Sequence, residues 1–145
     1  MPKQSVTGIG PLLFLLVISG CDGKPSPEIA PVEGVVRLNG KPQRGLMVRF
    51  LPDPEQGNDT PIDATGTTDE QGKYVLEYTY QGEQGMGAPV GWHRVLIVDA
   101  TRGHTPQGQQ PKPSLVPMDY ASPATTPIQK EVQSGPQTID VDIRL

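Results

Sequence analysis

"VEGVVRLNGKPQRGLMVRFLP", residues 32–52, alternates apolar and polar side chains in two runs separated by an Asn-Gly pair. In the first run Val32, Gly34, Val36 and Leu38 fall on one face, and Glu33, Val35 and Arg37 on the other. A period of two belongs to a strand with one face buried. Asn39-Gly40 is a strong hairpin signal, because both residues tolerate positive φ. In the second run Leu46, Val48 and Phe50 alternate with Met47 and Arg49, and Pro52 and Pro54 end it.

The same alternation recurs downstream. In "GTTDEQGKYVLEYTY" (66–80), Thr67 and Thr68 end a short strand, and Asp69 to Gly72 reads as a tight turn. Tyr74, Leu76, Tyr78 and Tyr80 then alternate along one further strand. "WHRVLIVDA" (92–100) is apolar on both faces, which predicts a central strand. "PIQKEVQSG" (127–135) suits an edge strand pairing through Ile128 and Val132. "TIDVDIRL" (138–145) points Ile139, Val141, Ile143 and Leu145 inward, with Asp140, Asp142 and Arg144 outward. Three stretches are expected to be irregular. Residues 53–65 read as an exposed polar loop. Residues 81–91 are glycine-rich but lack the Lys-Ser or Lys-Thr of a phosphate loop. Residues 101–127 hold six prolines. No segment keeps a 3.6-residue period over three turns. The expectation is an all-β fold of about seven strands in a β-sandwich.

Composition narrows the function classes. The chain has 145 residues, a formal charge of -4, 17 glycines and 17 prolines. That glycine and proline content suits either a turn-rich β protein or disorder, and the repeated alternation favours the former. Nucleic acid is not an expected partner, because phosphate binding needs clustered Lys and Arg. A single cysteine excludes an internal disulfide framework and a Cys-based zinc site.

That cysteine, Cys21, follows an apolar stretch from Pro11 to Ile18. The stretch is too short to span a bilayer as a helix and has the length of a signal-peptide core. Ile18, Ser19, Gly20 and Cys21 resemble the bacterial lipobox. The resemblance implies cleavage between Gly20 and Cys21 and a covalent lipid on the Cys21 thiol. Two plainer readings stand beside it: a conventional secretory signal with an incidental cysteine, and a buried amino-terminal element. On the lipobox reading, residues 1–20 are a signal peptide, 21–31 a lipidated cysteine and flexible tether, and 32–145 the folded domain. No other cofactor is expected. The protein is then exported and lipid-anchored to a cell-envelope membrane, on the periplasmic side or at the cell surface.

The order of the motifs resembles the carboxypeptidase regulatory-like domains of small planctomycete-type lipoproteins. The first hairpin is followed by a V-x-F strand. The turn Thr68, Asp69, Gly72 and Tyr74 matches a T-D-x-x-G-x-Y pattern, and Gly91, His93, Val95 and Ile97 match a G-x-H/Y-x-V-x-I strand. Pro117, Tyr120, Ile128 and Val132 fit the ending, although "TPIQKEV" departs from the usual residues before it. The resemblance implies a transthyretin-like Greek-key β-sandwich and brings no catalytic constellation.

The remaining candidates have plain structural alternatives. His93, His104 and Asp99 could converge on a metal, but no spacing demands it; otherwise His93 is a strand residue on a partly exposed face and His104 a solvated loop residue. Asp59, Asp63, Asp69 and Glu70 lack a calcium ladder. Serines 26, 114, 122 and 134 lie in loops without a G-x-S-x-G. Tyr78, Tyr80 and Trp92 could form a sugar-stacking platform. The functional expectation is a non-enzymatic structural or protein-interaction module, with a surface carbohydrate-binding domain as the alternative. The expected partners are the membrane and an envelope protein or polysaccharide.

Overall fold

A computed structural model describes residues 25–145, and ahead of them Lys3, Gly8, Gly20 and Gly23. In chain order the strands are β1 (Ile29–Ala30), β2 (Val32–Leu38), β3 (Lys41–Pro42), β4 (Leu46–Pro52), β5 (Ala64–Thr67), β6 (Lys73–Val75) and β7 (Glu77–Tyr80). They continue with β8 (Glu83–Met86), β9 (Ala88–Pro89), β10 (Gly91–Asp99), β11 (Gln129–Val132), β12 (Gln137–Thr138) and β13 (Val141–Ile143). Among the described residues there is no α-helix, only short 3₁₀ turns at Pro54–Gln56, Ala100–Arg102 and Met118–Ala121. The fold is all-β.

A six-stranded antiparallel sheet has the order β11-β10-β4-β5-β7-β8. A second sheet is built around β2. It pairs antiparallel with β3 and β6, and parallel with β12 and β13. The small β1–β9 pair stands apart. Pairing therefore begins at Ile29, within the stretch expected to be spacer. The alternation in the opening stretch is realised: Val32, Val36, Leu46, Val48 and Phe50 are buried. Asn39 and Gly40 take φ of 51° and 81°, as the hairpin requires. Buried side chains from both sheets form one core, and Phe50 meets Tyr74 at a ring separation of 6.4 Å.

Several expectations are corrected. The tyrosine-rich segment is not one strand. It leaves β2 and joins the six-stranded sheet at Leu76, whose N–H donates to Val32 O while its carbonyl accepts from Gly87. Residues 81–91 are not irregular, because β7 and β8 form a hairpin around Gln81 and Gly82, both at positive φ. Residues 53–65 are not simply exposed: Asp53, Asn58, Ile62 and Ala64 are buried. Leu145 points outward, since the last strand ends at Ile143. The expected seven strands appear as thirteen shorter segments, because bends and sheet switching divide the long ones.

Gly34 marks the closest approach in the second sheet. A Cβ there would lie 1.9 Å from Ile139 O and 2.9 Å from the Tyr74 ring. The Tyr74 hydroxyl donates to that same Ile139 carbonyl. Burial, and after it the nearby Asp140 carboxylate, raises the phenol pKa well above its ordinary value. The Asp140 side chain accepts from Val35 N at 2.9 Å and meets Arg37 at 3.2 Å.

The register defines two ends. At the entry pole β2 begins, β4 and β7 end, and β10 starts. Residues 53–61, the Gln81-Gly82 turn and the incoming Pro25–Pro27 segment gather there; Pro25, Ser26 and Pro27 share a shallow hollow with Asp59, Thr60, Pro61, Tyr80 and Gln81. At the far pole are the Asn39-Gly40 turn, residues 43–45, the Asp69–Gly72 turn, the loop after Asp99 and the chain's last residues.

Gly34→Ala is expected to lower the unfolding free energy by at least about 1–3 kcal/mol, because the added methyl meets backbone rather than a movable side chain. Tyr74→Phe should cost about 1 kcal/mol or more, leaving Ile139 O without its donor. Urea midpoints of the full chain measure both.

Candidate functional site

Five polar residues are buried among the described residues: Asp53, Asn58, Thr68, His93 and Asp99. A buried polar group is costly unless it is hydrogen-bonded, so their partners indicate what each does. Three of them lie at strand ends, where backbone groups lack ladder partners.

Asp53 directly follows β4 at the entry pole. Its Oδ1 accepts from Glu55 N at 3.2 Å and caps the 3₁₀ turn; its Oδ2 lies 3.2 Å from Arg94 Nε. Arg94 also donates to Pro123 O at 2.9 Å and meets the Glu55 carboxylate. Asp53 first, and Glu55 after it, raises the Arg94 pKa. Asn58 Nδ2 donates to Trp92 O at 3.0 Å, which ties the loop to the start of β10. The two strands and two loops at this pole are thus held by one carboxylate and one amide.

At the far pole Asp99 has the same task. Its Oδ1 accepts from Thr101 N at 2.9 Å and Thr101 Oγ1 at 2.6 Å, and its Oδ2 from Leu115 N at 3.0 Å. Residues 100–115 therefore leave and return at one carboxylate. Beyond it Val116 enters the core, and Thr126 Oγ1 donates to Val95 O. Burial alone would raise the Asp99 pKa. The bonds from Thr101 and Leu115, with Arg102 nearby, outweigh it and lower the pKa.

The expected turn motif assembles as a unit. Thr68 Oγ1 accepts from Leu46 N at 2.9 Å, and Asp69 Oδ1 accepts from Gln71 N and Lys73 N at 2.9 Å each. Gly72 supplies φ of 73°, and Tyr74 enters the core.

His93 is not on a partly exposed face; it is fully buried. It shares the inner face of β10 with Val95 and Ile97, and its ring lies 5.6 Å from Phe50. Nδ1 is 2.9 Å from Gly91 O, so Nδ1 carries the proton and Nε2 is a bare acceptor with no protein partner. Burial lowers the His93 pKa, and the Gly91 carbonyl opposes that in part.

The proposed constellations do not converge. His93 and Asp99 stand six positions apart on β10, about 20 Å at strand rise, and His104 lies further along. Asp59 is at the entry pole and Asp69 at the far pole, while Asp63 pairs with Arg49 at 2.7 Å. Among the described residues no group of three His, Cys, Asp or Glu side chains is arranged to hold a metal ion. Trp92 is on the outer face of its sheet and Tyr78 on the inner, so Tyr78, Tyr80 and Trp92 do not form a row. Ser114 and Ser122 hydroxyls accept local backbone N–H groups. Ile18, Ser19 and Cys21 of the lipobox lie outside the described residues; Gly20 is exposed. No described helix is long and apolar enough to cross a membrane. Asp53, Asn58 and Arg94 were missed as organisers, and the only local signal was an Asp before Pro54 that can cap a turn.

Compared with family models, with curated proteins and with solved structures, the chain matches none.

Two measurements follow from these groups. The folded His93 pKa lies below its ordinary 6.5, so below that value the unfolded chain binds the extra proton. Stability should hold above about pH 6.5 and fall as pH drops through that value toward the folded pKa. His93→Leu should flatten this window in chemical denaturation measured across pH. For Asp99 the sign gives stability above its ordinary 3.8, lost as pH falls toward the lowered folded value. Asp99→Ala at neutral pH should speed tryptic cleavage after Arg102 by roughly tenfold or more, since bonds to a charged acceptor are lost.

Proposed function

We propose that the chain is the precursor of an exported lipoprotein whose all-β domain is a non-enzymatic structural or protein-interaction module. Cys21 becomes the lipid-bearing first residue of the mature protein. The observation that carries this reading is the placement of the chain's one cysteine. It closes Ile18-Ser19-Gly20-Cys21 at the end of an apolar run, and a short proline-containing segment separates it from the first strand at Ile29. One acyl chain holds a protein only marginally, while two hold it stably; a lipoprotein cysteine carries two or three.

The domain is assigned to the transthyretin-like type of Greek-key β-sandwich, as in the carboxypeptidase regulatory-like domains. The core shared by the two sheets, the Asn39-Gly40 hairpin and the Thr68–Tyr74 turn support that assignment. The non-enzymatic reading is supported by the use of Asp53, Asp69 and Asp99. Each already accepts backbone N–H groups, which leaves it a staple rather than a proton-transfer group.

Cys21→Ser in the native host tests the anchor. The variant should remain at precursor length, lose incorporation of labelled fatty acid and lose detergent-dependent membrane retention. Unchanged processing and retention would overturn the assignment.

A further inference from the structure

The chain enters the domain beside an exposed aromatic ring. Val90 N donates to Glu28 O at 2.8 Å, and β1 pairs with β9 from Ile29 onward. These bonds fix the root of the amino-terminal segment at Glu28. Trp92 stands two residues beyond Val90, about 7 Å along β10. Among the described residues it is the only aromatic side chain that is exposed. Its backbone is held, because Trp92 O accepts from both Asp53 N and Asn58 Nδ2 at 3.0 Å each. The ring is therefore kept on the outer face of its sheet, next to the point of chain entry.

The segment before that point is short. Residues Asp22–Glu28 extend at most about 25 Å. Pro25 and Pro27 share a hollow with the 59–61 loop and Tyr80. Counted from Pro25, the reach back to Cys21 is at most about 14 Å. Strand β10 alone, nine residues, is about 30 Å long. A lipid on Cys21 thus keeps the entry pole near the bilayer and the far pole away from it. Charge does not select the surface met by this pole. Glu28, Asp59 and Glu83 are exposed there, and Arg94 and Lys130 are half-buried.

We propose that the entry pole rests on the bilayer surface, with the Trp92 ring set among the lipid headgroups as a second contact beside the Cys21 lipid. The proposal rests on the lipid-anchor reading. An indole has an apolar body and an N–H donor, which suits the boundary between headgroups and acyl chains. Glu131, the cross-strand neighbour of Trp92, is exposed. A carboxylate in that place suits a ring at headgroup depth and not in the hydrocarbon. One ring buries too little apolar area to hold a free domain. The anchor makes the contact intramolecular, at the high effective concentration of a short tether. The segment after Cys21 then positions the domain against the membrane instead of lifting it away.

Trp92 is the chain's only tryptophan, so its fluorescence reports this position alone. The test uses the protein purified from native-host membranes and reconstituted in phosphatidylcholine vesicles, a neutral surface. Lipids carrying a nitroxide at the headgroup should quench Trp92 roughly twofold or more, and more strongly than lipids carrying it near the acyl-chain end. The variant Trp92→Phe, Arg44→Trp moves the probe roughly 20 Å or more along β10 to the far pole, and its quenching should be slight. Circular dichroism checks that this variant is folded; were it not, the comparison of the two label depths in the native chain decides alone. No headgroup quenching in vesicle-bound native protein overturns the proposal and leaves the anchor standing. Equal quenching at the two positions, or stronger quenching from the acyl-chain end, also overturns it. An equal response of Trp92 to soluble dextran overturns it in favour of a sugar site. Labelled fatty acid on Cys21 is measured in the same preparation. Its absence, with loss of both vesicle retention and quenching, overturns both readings. Headgroup quenching without that lipid supports the contact and overturns the anchor alone.

Discussion

The hydrogen bond from the Tyr74 hydroxyl to the Ile139 carbonyl, made across Gly34, joins three distant parts of the chain. It is possible only because β2 has no side chain at that point. The parallel strand pair on one side of β2 and the antiparallel β6 on the other then close over the same glycine. The phenol brings its ring against Phe50 of the six-stranded sheet, so the contact also sets how the two sheets meet. Ile139 and Tyr74 are far apart in sequence, and such contacts form only after the loops between them have closed.

Around that core, buried polar groups organise the loops. A strand end leaves N–H groups without ladder partners. Asp53, Thr68 and Asp99 each stand at such an end and accept them. This is the structural reason that long irregular connections hold a defined course. The 100–115 loop is closed at its base by Asp99, and the 53–61 loop is held by Asp53 and Asn58. At the far pole Asp99 is turned toward backbone and Asp140 toward Val35 N and Arg37, while Glu70 stands in the solvent beside Arg44.

Strand direction gives the domain two distinct ends. The chain enters at one pole, and β2, β4, β7 and β10 all run between the same two ends. An anchor a few residues before β1 would therefore act on one pole alone.

Much of the fold was legible in residues 32–52, where a period of two and an Asn-Gly turn leave few alternatives. The Thr68–Tyr74 turn was legible for the same reason: its bonds are local. What could not be read depends on contacts across the chain. The path of the tyrosine segment, split between two sheets at Leu76, obeys the alternation of a single strand. His93 alternates with Arg94 in the same way whether its face is covered or open, and only the packing of Phe50 shows it to be buried. Asp53 and Asn58 look like ordinary loop residues until Arg94 and the Trp92 carbonyl come within reach. The sequence by itself determined the strands of residues 32–52 with their inward faces, the Asn39-Gly40 and Thr68–Tyr74 turns and the lone cysteine's setting, because these depend on neighbours a few residues away. Tertiary structure alone decided the sheet order, the buried histidine, the loop staples and the two poles, because each depends on strands that meet only after the chain has folded.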